Sequence, residues 1–151
     1  MSPAGGPHYR AANVRFYVDA DVLGLAKILV QLRSDVTYPG DLGGVIHKRR
    51  RDACPIGSPG VLDTVWIPEV TRHGWLIITR DSNIAANRAE ITAVRDNGAR
   101  MVALAGRDAI GTWAQLEVLV AQWRRIEALL DVPGPLHFLS DTHHTAPHRP
   151  H

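Results

Sequence analysis

Three aspartates stand where carboxylates could act together on a substrate. Asp81 comes two residues after the run 75–79, which is apolar except for Thr79; Asp19 ends a shorter apolar run, and Asp63 opens a helical stretch. Helix capping would explain each aspartate taken singly. Three carboxylates held close together, however, would repel one another unless a cation lay between them. Oxygen ligands suit Mg²⁺ or Mn²⁺, and such an ion activates water and binds phosphate. The expected chemistry is phosphodiester hydrolysis.

Three further side chains could assist this trio. Asp21 would orient a water molecule, or it is a first-turn helix residue stabilised by the helix dipole. Glu69 is a substitute for Asp63, although six positions of separation place the two on different helix faces. Asn83 would add a weaker polar ligand, or it would cap a second helix.

The elements that would position these acids alternate between strand and helix. Apolar patterns predict strands over 14–18, 35–38, 75–79 and 100–105, and helices over 22–32, 62–73, 84–97 and 113–130. This alternation predicts an α/β fold, a single three-layer domain with a mostly parallel sheet of about four strands flanked by helices. Right-handed crossovers bring consecutive strand ends to one edge, where Asp19 and Asp81 can share a site. Tryptophans stand at core spacing and are predicted to pack rather than stack on bases: Trp66, Trp75, Trp113 and Trp123.

The rest of the chain divides into segments of different composition. We expect a flexible N-terminus over 1–13, the folded domain over 14–132 and a disordered Pro/His-rich tail over 133–151. The histidines of the tail lack the spacing of a zinc site. Residues 41–60 show no periodicity and are predicted to form a long surface loop.

Basic residues could bind a phosphate backbone. Lys48, Arg49, Arg50 and Arg51 form a concentrated run in the predicted loop, where they would follow a phosphate backbone or merely be solvated. Arg80 adjoins the third aspartate and would hold the scissile phosphate with its planar guanidinium, or pair with a surface carboxylate. The formal charge of +2 adds only a weak hint of nucleic acid.

Cysteine content and hydropathy indicate a cytoplasmic protein. The single cysteine, Cys54, cannot form an internal disulfide, so a reducing compartment is expected. No apolar run is long enough to span a bilayer and no signal-peptide pattern opens the chain, so no membrane association is expected.

The order of these motifs resembles that of PIN-domain ribonucleases. Residues 17–23 resemble their opening strand motif, and the Thr-Arg-Asp of residues 79–81 resembles their later acidic strand end. The compact PIN-like subgroup related to toxins of toxin–antitoxin pairs is more similar still. Its Tyr-Pro-Gly turn, its acid before a Trp-containing Ile-Pro-Glu helix and its Gly-Trp strand occur here in the same order, at 38–40, 63–69 and 74–81. The resemblance covers about residues 15–130.

The resemblance implies a metal-dependent endoribonuclease with RNA as its substrate. Asp19, Asp63 and Asp81 would be the catalytic and metal-binding residues, with Mg²⁺ or Mn²⁺ as cofactor. A protein antitoxin that covers the site is implied as a partner, and a homodimer is left open. The fourth acid of full PIN domains has only Asn83 or Glu90 as its candidates, which leaves open a PIN-like binding module without catalysis. A receiver-like phosphoacceptor domain also collects aspartates at strand ends, but no lysine follows the fourth strand at the expected place.

Overall fold

A computed structural model of the chain describes residues 9–80, 92, 94, 96–104, 111–132 and 136–139. The strands of this part are β1 Arg10–Ala11, β2 Phe16–Val18, β3 Val36–Thr37, β4 Gly44–Ile46, β5 Arg49–Arg51, β6 Leu76–Arg80, β7 Arg100–Leu104 and β8 Leu136–Leu139. The helices are α1 Leu23–Leu32, α2 Asp63–Arg72, α3 Thr112–Ala121 and α4 Trp123–Ala128, with 3-10 turns at Ala20–Val22 and Leu129–Asp131.

A parallel sheet of five strands carries the fold, in the order β3-β2-β6-β7-β8. Helices cover this sheet, which confirms the predicted α/β class. Strand β8 was not predicted, because its four residues follow two prolines in a stretch expected to be a disordered tail. The folded domain therefore extends to residue 139 rather than ending at 132.

The two faces of the sheet each bury their own core. Phe16, Val18 and Ile78 pack in one cluster with residues of α1, α3 and α4, whereas Tyr17 and Ile77 pack in a second cluster with residues of α2. Successive strand residues alternate between the two clusters because side chains along a strand point to opposite faces. Each large apolar side chain fully buried in this way contributes roughly 1.5–3 kcal/mol to folding.

Two predictions for the segment 113–130 are wrong. The single helix expected over 113–130 is broken at Gln122, whose φ of −103° and ψ of 9° leave the α region. Trp113 is 72% exposed, so the prediction that it packs in the core is wrong. Most of the helix predicted over 84–97 lies outside the described residues, but the glycine expected to end it is confirmed: Gly98 has φ +65°, and the N–H of Ala99 reaches back to the carbonyl of Val94 at 3.0 Å. Within the described residues, no helix is long and apolar enough to cross a membrane.

The segment 41–60 is not the irregular loop that its sequence suggests. It contains an antiparallel hairpin of β4 and β5, and β1 pairs with β5 in parallel, so that part of the expected flexible N-terminus belongs to a sheet. The hairpin turn places His47 at φ 52° and Lys48 at φ 58°. Such turns usually carry Asn or Gly, and the sequence signal for a hairpin is therefore missing here.

Candidate active site

Two carboxylates meet at the carboxyl edge of the parallel sheet. Asp19 follows β2 and caps the 3-10 turn, its Oδ1 accepting from the N–H of Ala20 at 2.6 Å. Asp21 lies inside that turn. The hydroxyl of Thr79 on β6 lies 3.2 Å from Oδ2 of Asp19 and 2.9 Å from Oδ2 of Asp21. One hydroxyl donates a single hydrogen, so the two carboxylates compete for it, and both Oδ2 atoms lie within 3.2 Å of the same hydroxyl oxygen.

Backbone hydrogen bonds hold the turn after β2 in register with the end of β6. The backbone N–H of Asp19 donates to the carbonyl of Ile78 at 2.8 Å, which continues the β2–β6 ladder past the end of β2. The N–H of Arg80 also donates to Oδ2 of Asp21 at 3.2 Å. The turn after β2 is thus fastened to the last residues of β6 by both backbone and side chain.

Asp21 has an altered affinity for protons. Although the residue as a whole is exposed, its carboxyl packs against the end of β6, and the desolvation of that group raises its pKa; the hydrogen bonds from Thr79 and from Arg80, together with the charge of Arg80, offset only part of this rise. A cation beside Asp21 would favour the ionised form of its carboxyl. This electrostatic setting suits either a positively charged ligand or a proton-transfer role.

Asp63 is held by a tryptophan on the face of the sheet opposite to α1. It is the first residue of α2, and its Oδ1 accepts from the indole N–H of Trp66 at 2.9 Å. The Trp66 ring stacks on Tyr17 with 5.1 Å between centroids. Burial above all raises the pKa of the Tyr17 phenol, and the negative charges of Asp19, Cys54 and Asp63 raise it further. Asp19 and Asp63 therefore both lie within electrostatic reach of one phenol.

The third predicted acid, Asp81, lies outside the described residues, as do Asn83 and Glu90. Asp81 is the next residue after Arg80, the last residue of β6. Among the described residues, no group of three or more His, Cys, Asp or Glu side chains could hold a metal ion. The described donors, the carboxylates of Asp19 and Asp21, are hard oxygen ligands of the kind that Mg²⁺ and Mn²⁺ take.

Two of the predicted auxiliary residues have other partners or positions. Glu69 forms an ion pair with Arg72, and its other carboxylate oxygen lies 3.2 Å from the ring Nε2 of His73, at the end of its own helix. Arg80 ends β6 with a half-buried side chain, one residue beyond the shared hydroxyl.

The basic run lies at the opposite edge of the sheet from Asp19. The ring of His47 in the hairpin turn is 3.0 Å from the carbonyl of Leu32, the last residue of α1. Helix α1 starts four residues after Asp19, near the carboxyl ends of the strands, and is about 15 Å long at 1.5 Å per residue. Its last residue, Leu32, and the hairpin turn beside it therefore lie near the amino ends of the strands.

One member of the run does not face solvent. Arg51 is 6% exposed and pairs with Asp41, with 2.7 Å between Nε and Oδ2. It is therefore not part of the exposed basic surface, contrary to the prediction, whereas Lys48, Arg49 and Arg50 are exposed.

Sequence reasoning missed Thr79. Its hydroxyl is the group on which Asp19 and Asp21 converge, and the residue is 1% exposed. A signal was present, since Thr79 is the first polar residue after the apolar strand residues 75–78. A polar residue buried at a strand end must find a hydrogen-bond partner, and here it finds two carboxylates.

The fold and the acidic strand edge define a PIN-like α/β domain. A family model described as "PIN like domain" matches residues 14–106, and the chain belongs to that family, whose members are generally nucleases. Comparison with curated proteins and with solved structures gives no match.

Proposed function

We propose that this PIN-like protein is a metal-dependent endoribonuclease. The observation that carries the proposal is the convergence of the Asp19 and Asp21 carboxylates on the hydroxyl of Thr79 at the carboxyl edge of a parallel sheet. This is the edge at which open α/β sheets bind their ligands. The acids lie there in a chain whose family generally consists of nucleases.

Each residue has a role in this proposal. Asp19, Asp63 and Asp81 would hold Mg²⁺ or Mn²⁺, with Asp21 beside them. The ion, when bound, supplies charge stabilisation and activation of water. Thr79 restrains Asp19 and Asp21, and Trp66 restrains Asp63, so the acids are positioned before the substrate arrives. Arg80, next in the chain to Asp81, would contact the scissile phosphate.

The RNA would cross the domain rather than bind only at the acids. The exposed cations Lys48, Arg49 and Arg50 lie at the far edge of the sheet, about one α1 length of 15 Å away. They would attract the phosphate backbone without reading its sequence. A substrate too short to reach both edges should therefore bind weakly.

Cleavage by the purified protein tests the proposal. Single-stranded RNA should be cut in Mg²⁺ or Mn²⁺ and not in chelator, and both Asp19→Asn and Asp81→Asn should abolish cutting. Asp131→Asn changes an exposed aspartate of the last 3-10 turn and serves as the matched control. Mn²⁺ should also raise the melting temperature of the wild type and not that of Asp19→Asn. Cleavage that survives in both site variants would place the activity elsewhere.

A binding module without catalysis is the second candidate. It is favoured by the fourth acid of full PIN domains, for which this chain offers only Asn83 and Glu90 as candidates. RNA binding without metal-dependent cleavage would support it, and loss of cleavage in Asp81→Asn would argue against it.

The proposal extends to a toxin-type role with a protein antitoxin as partner, supported by the order of motifs over 38–81. Induced expression should arrest growth of a host cell, and Asp19→Asn should relieve the arrest. Growth arrest that persists in Asp19→Asn would have a cause other than nuclease activity.

A further inference from the structure

Trp113 is the tryptophan that the fold leaves in solvent. It is 72% exposed, whereas Trp66 is 3% exposed and Trp75 and Trp123 are partly buried against the two cores. An exposed tryptophan gives up the large stabilisation that burial of its ring would bring. Its position therefore calls for an explanation outside the core.

Trp113 lies at the same edge of the sheet as the carboxylates. Its neighbour Thr112 begins α3 and contacts Gly24 in the first turn of α1 so closely that a Cβ at position 24 would come within 2.5 Å of the Thr112 hydroxyl oxygen. Gly24 is five residues beyond Asp19. The start of α4 lies at the opposite, amino ends of the strands, because Trp123 packs on Phe16 at the start of β2, with 4.8 Å between ring centroids. Helix α3 therefore begins near the carboxyl ends of the strands and runs toward their amino ends.

The surroundings of Trp113 fit a nucleobase better than a protein surface. Val120, two turns along α3, is 63% exposed, but the exposed acid Glu117 lies between them and interrupts the apolar stripe. Among the described residues of α3, this aromatic ring belongs to no continuous apolar patch, and a lone exposed ring is the form of a stacking platform for a single-stranded base. Arg80 at the end of β6 and the exposed Lys27 on α1 provide cations for the phosphates on this side.

We propose that Trp113 stacks on a base of single-stranded RNA beside the scissile phosphate. The proposal rests on the ribonuclease function proposed above and adds a binding subsite to it. Stacking is tolerant of sequence because every base has a π face, so the subsite would favour unpaired RNA over duplex without selecting a particular base.

Binding of a single-stranded RNA long enough to reach both edges of the sheet, measured by fluorescence anisotropy in chelator so that no cleavage occurs, tests the subsite. Trp113→Ala should weaken binding by roughly 5- to 100-fold, whereas Trp113→Phe should retain most of the affinity because it keeps a ring. The dependence of log K on log salt should be the same in wild type and Trp113→Ala, since no charge is lost. Val120→Ala, an exposed apolar position on the same helix, is the matched control and should bind as the wild type does.

Fluorescence gives a second readout. Acrylamide should quench the exposed indole of the wild type, RNA should protect it, and this protection should be absent in Trp113→Phe. Trp113→Ala should melt within a few degrees of wild type because the ring has little packing to lose. If it does not, Trp113→Phe and the quenching measurement still decide the question.

The outcomes separate the two proposals. Metal-dependent cleavage with equal RNA affinity in wild type and Trp113→Ala would overturn the stacking subsite and leave the nuclease standing. A wild type that neither binds nor cleaves RNA would overturn both. A dimer that both Trp113→Ala and Val120→Ala convert to monomer, with unchanged RNA affinity, would make this face a protein interface and overturn the subsite.

Discussion

Oγ1 of Thr79 lies 2.9 Å from Oδ2 of Asp21, although 58 positions of the chain separate the two residues. The hydroxyl is buried between a strand end and a 3-10 turn, and it also reaches Asp19 at 3.2 Å. A group that hydrogen-bonds to metal-binding carboxylates fixes their orientation without touching the substrate. This makes Thr79 a positioning residue of the proposed site.

Thr79→Val is predicted to lower cleavage and Mn²⁺ affinity by roughly 10- to 100-fold. Valine fills the same space but cannot donate to the two carboxylates, which would lose their fixed geometry. Thr79→Ser keeps the hydroxyl and should retain most activity. Metal titration followed by melting temperature, together with kcat/KM, checks this. Wild-type activity in Thr79→Val would show that the hydroxyl has no part in the site.

Arg51→Ser is predicted to destabilise the protein by about 3–5 kcal/mol, because it leaves Asp41 charged and buried. Asp41 is 2% exposed at its side chain and also accepts from the Thr37 hydroxyl and the N–H of Gly43. Arg50→Ser removes an arginine that is 62% exposed, and its effect should stay within about 0.5 kcal/mol. Urea unfolding of the two variants measures the difference. Equal stabilities would contradict the buried pair.

Replacing Lys48, Arg49 and Arg50 with serine is predicted to weaken RNA binding and to make its salt dependence shallower. Fewer counterions are released, and each phosphate contact on a single strand contributes a slope of roughly 0.7. KM should rise more than kcat falls, because these contacts lie far from the acids. The control replaces the exposed Arg72, Arg124 and Arg125 instead. Equal effects of the two triple variants would show that the hairpin residues contribute only through the net charge of the protein.

Asp35→Asn is predicted to lower stability at neutral pH by about 2 kcal/mol, as expected for hydrogen bonds to a charged group. Burial alone would raise the pKa of Asp35, but the hydrogen bonds and charges of Arg33 and Arg15 outweigh burial and hold it below its ordinary range. The ionised carboxylate therefore stabilises the fold above the ordinary pKa of an aspartate, and this contribution is lost as the pH falls through the lowered value. Chemical unfolding at neutral and acid pH should show the variant and wild type converging in acid. A constant gap would mean that the carboxylate charge is not the cause, and Asp131→Asn should show no gap.

Local sequence patterns determined the class of fold because they reflect local physics. Apolar runs of strand length, helical spacing and a glycine such as Gly98 act over a few residues, so the alternation of strands and helices and the parallel sheet were predicted correctly. The positions of Asp19 at a strand end and Asp63 at a helix start follow from the same patterns.

Contacts between distant segments were decided only by the tertiary structure. The sequence cannot show that Thr79 faces two carboxylates, because that depends on the register of β2 against β6. It placed Arg51 with its basic neighbours, but the hairpin turns that side chain onto Asp41. It placed Trp113 in the core because helical spacing does not say which neighbour covers a given face, and the packing of α3 on α1 leaves that ring in solvent. The sequence by itself therefore determined the order of strands and helices and the place of Asp19 at a strand end, and the tertiary structure decided which groups hold Asp19 and Asp21 and which side chains remain exposed.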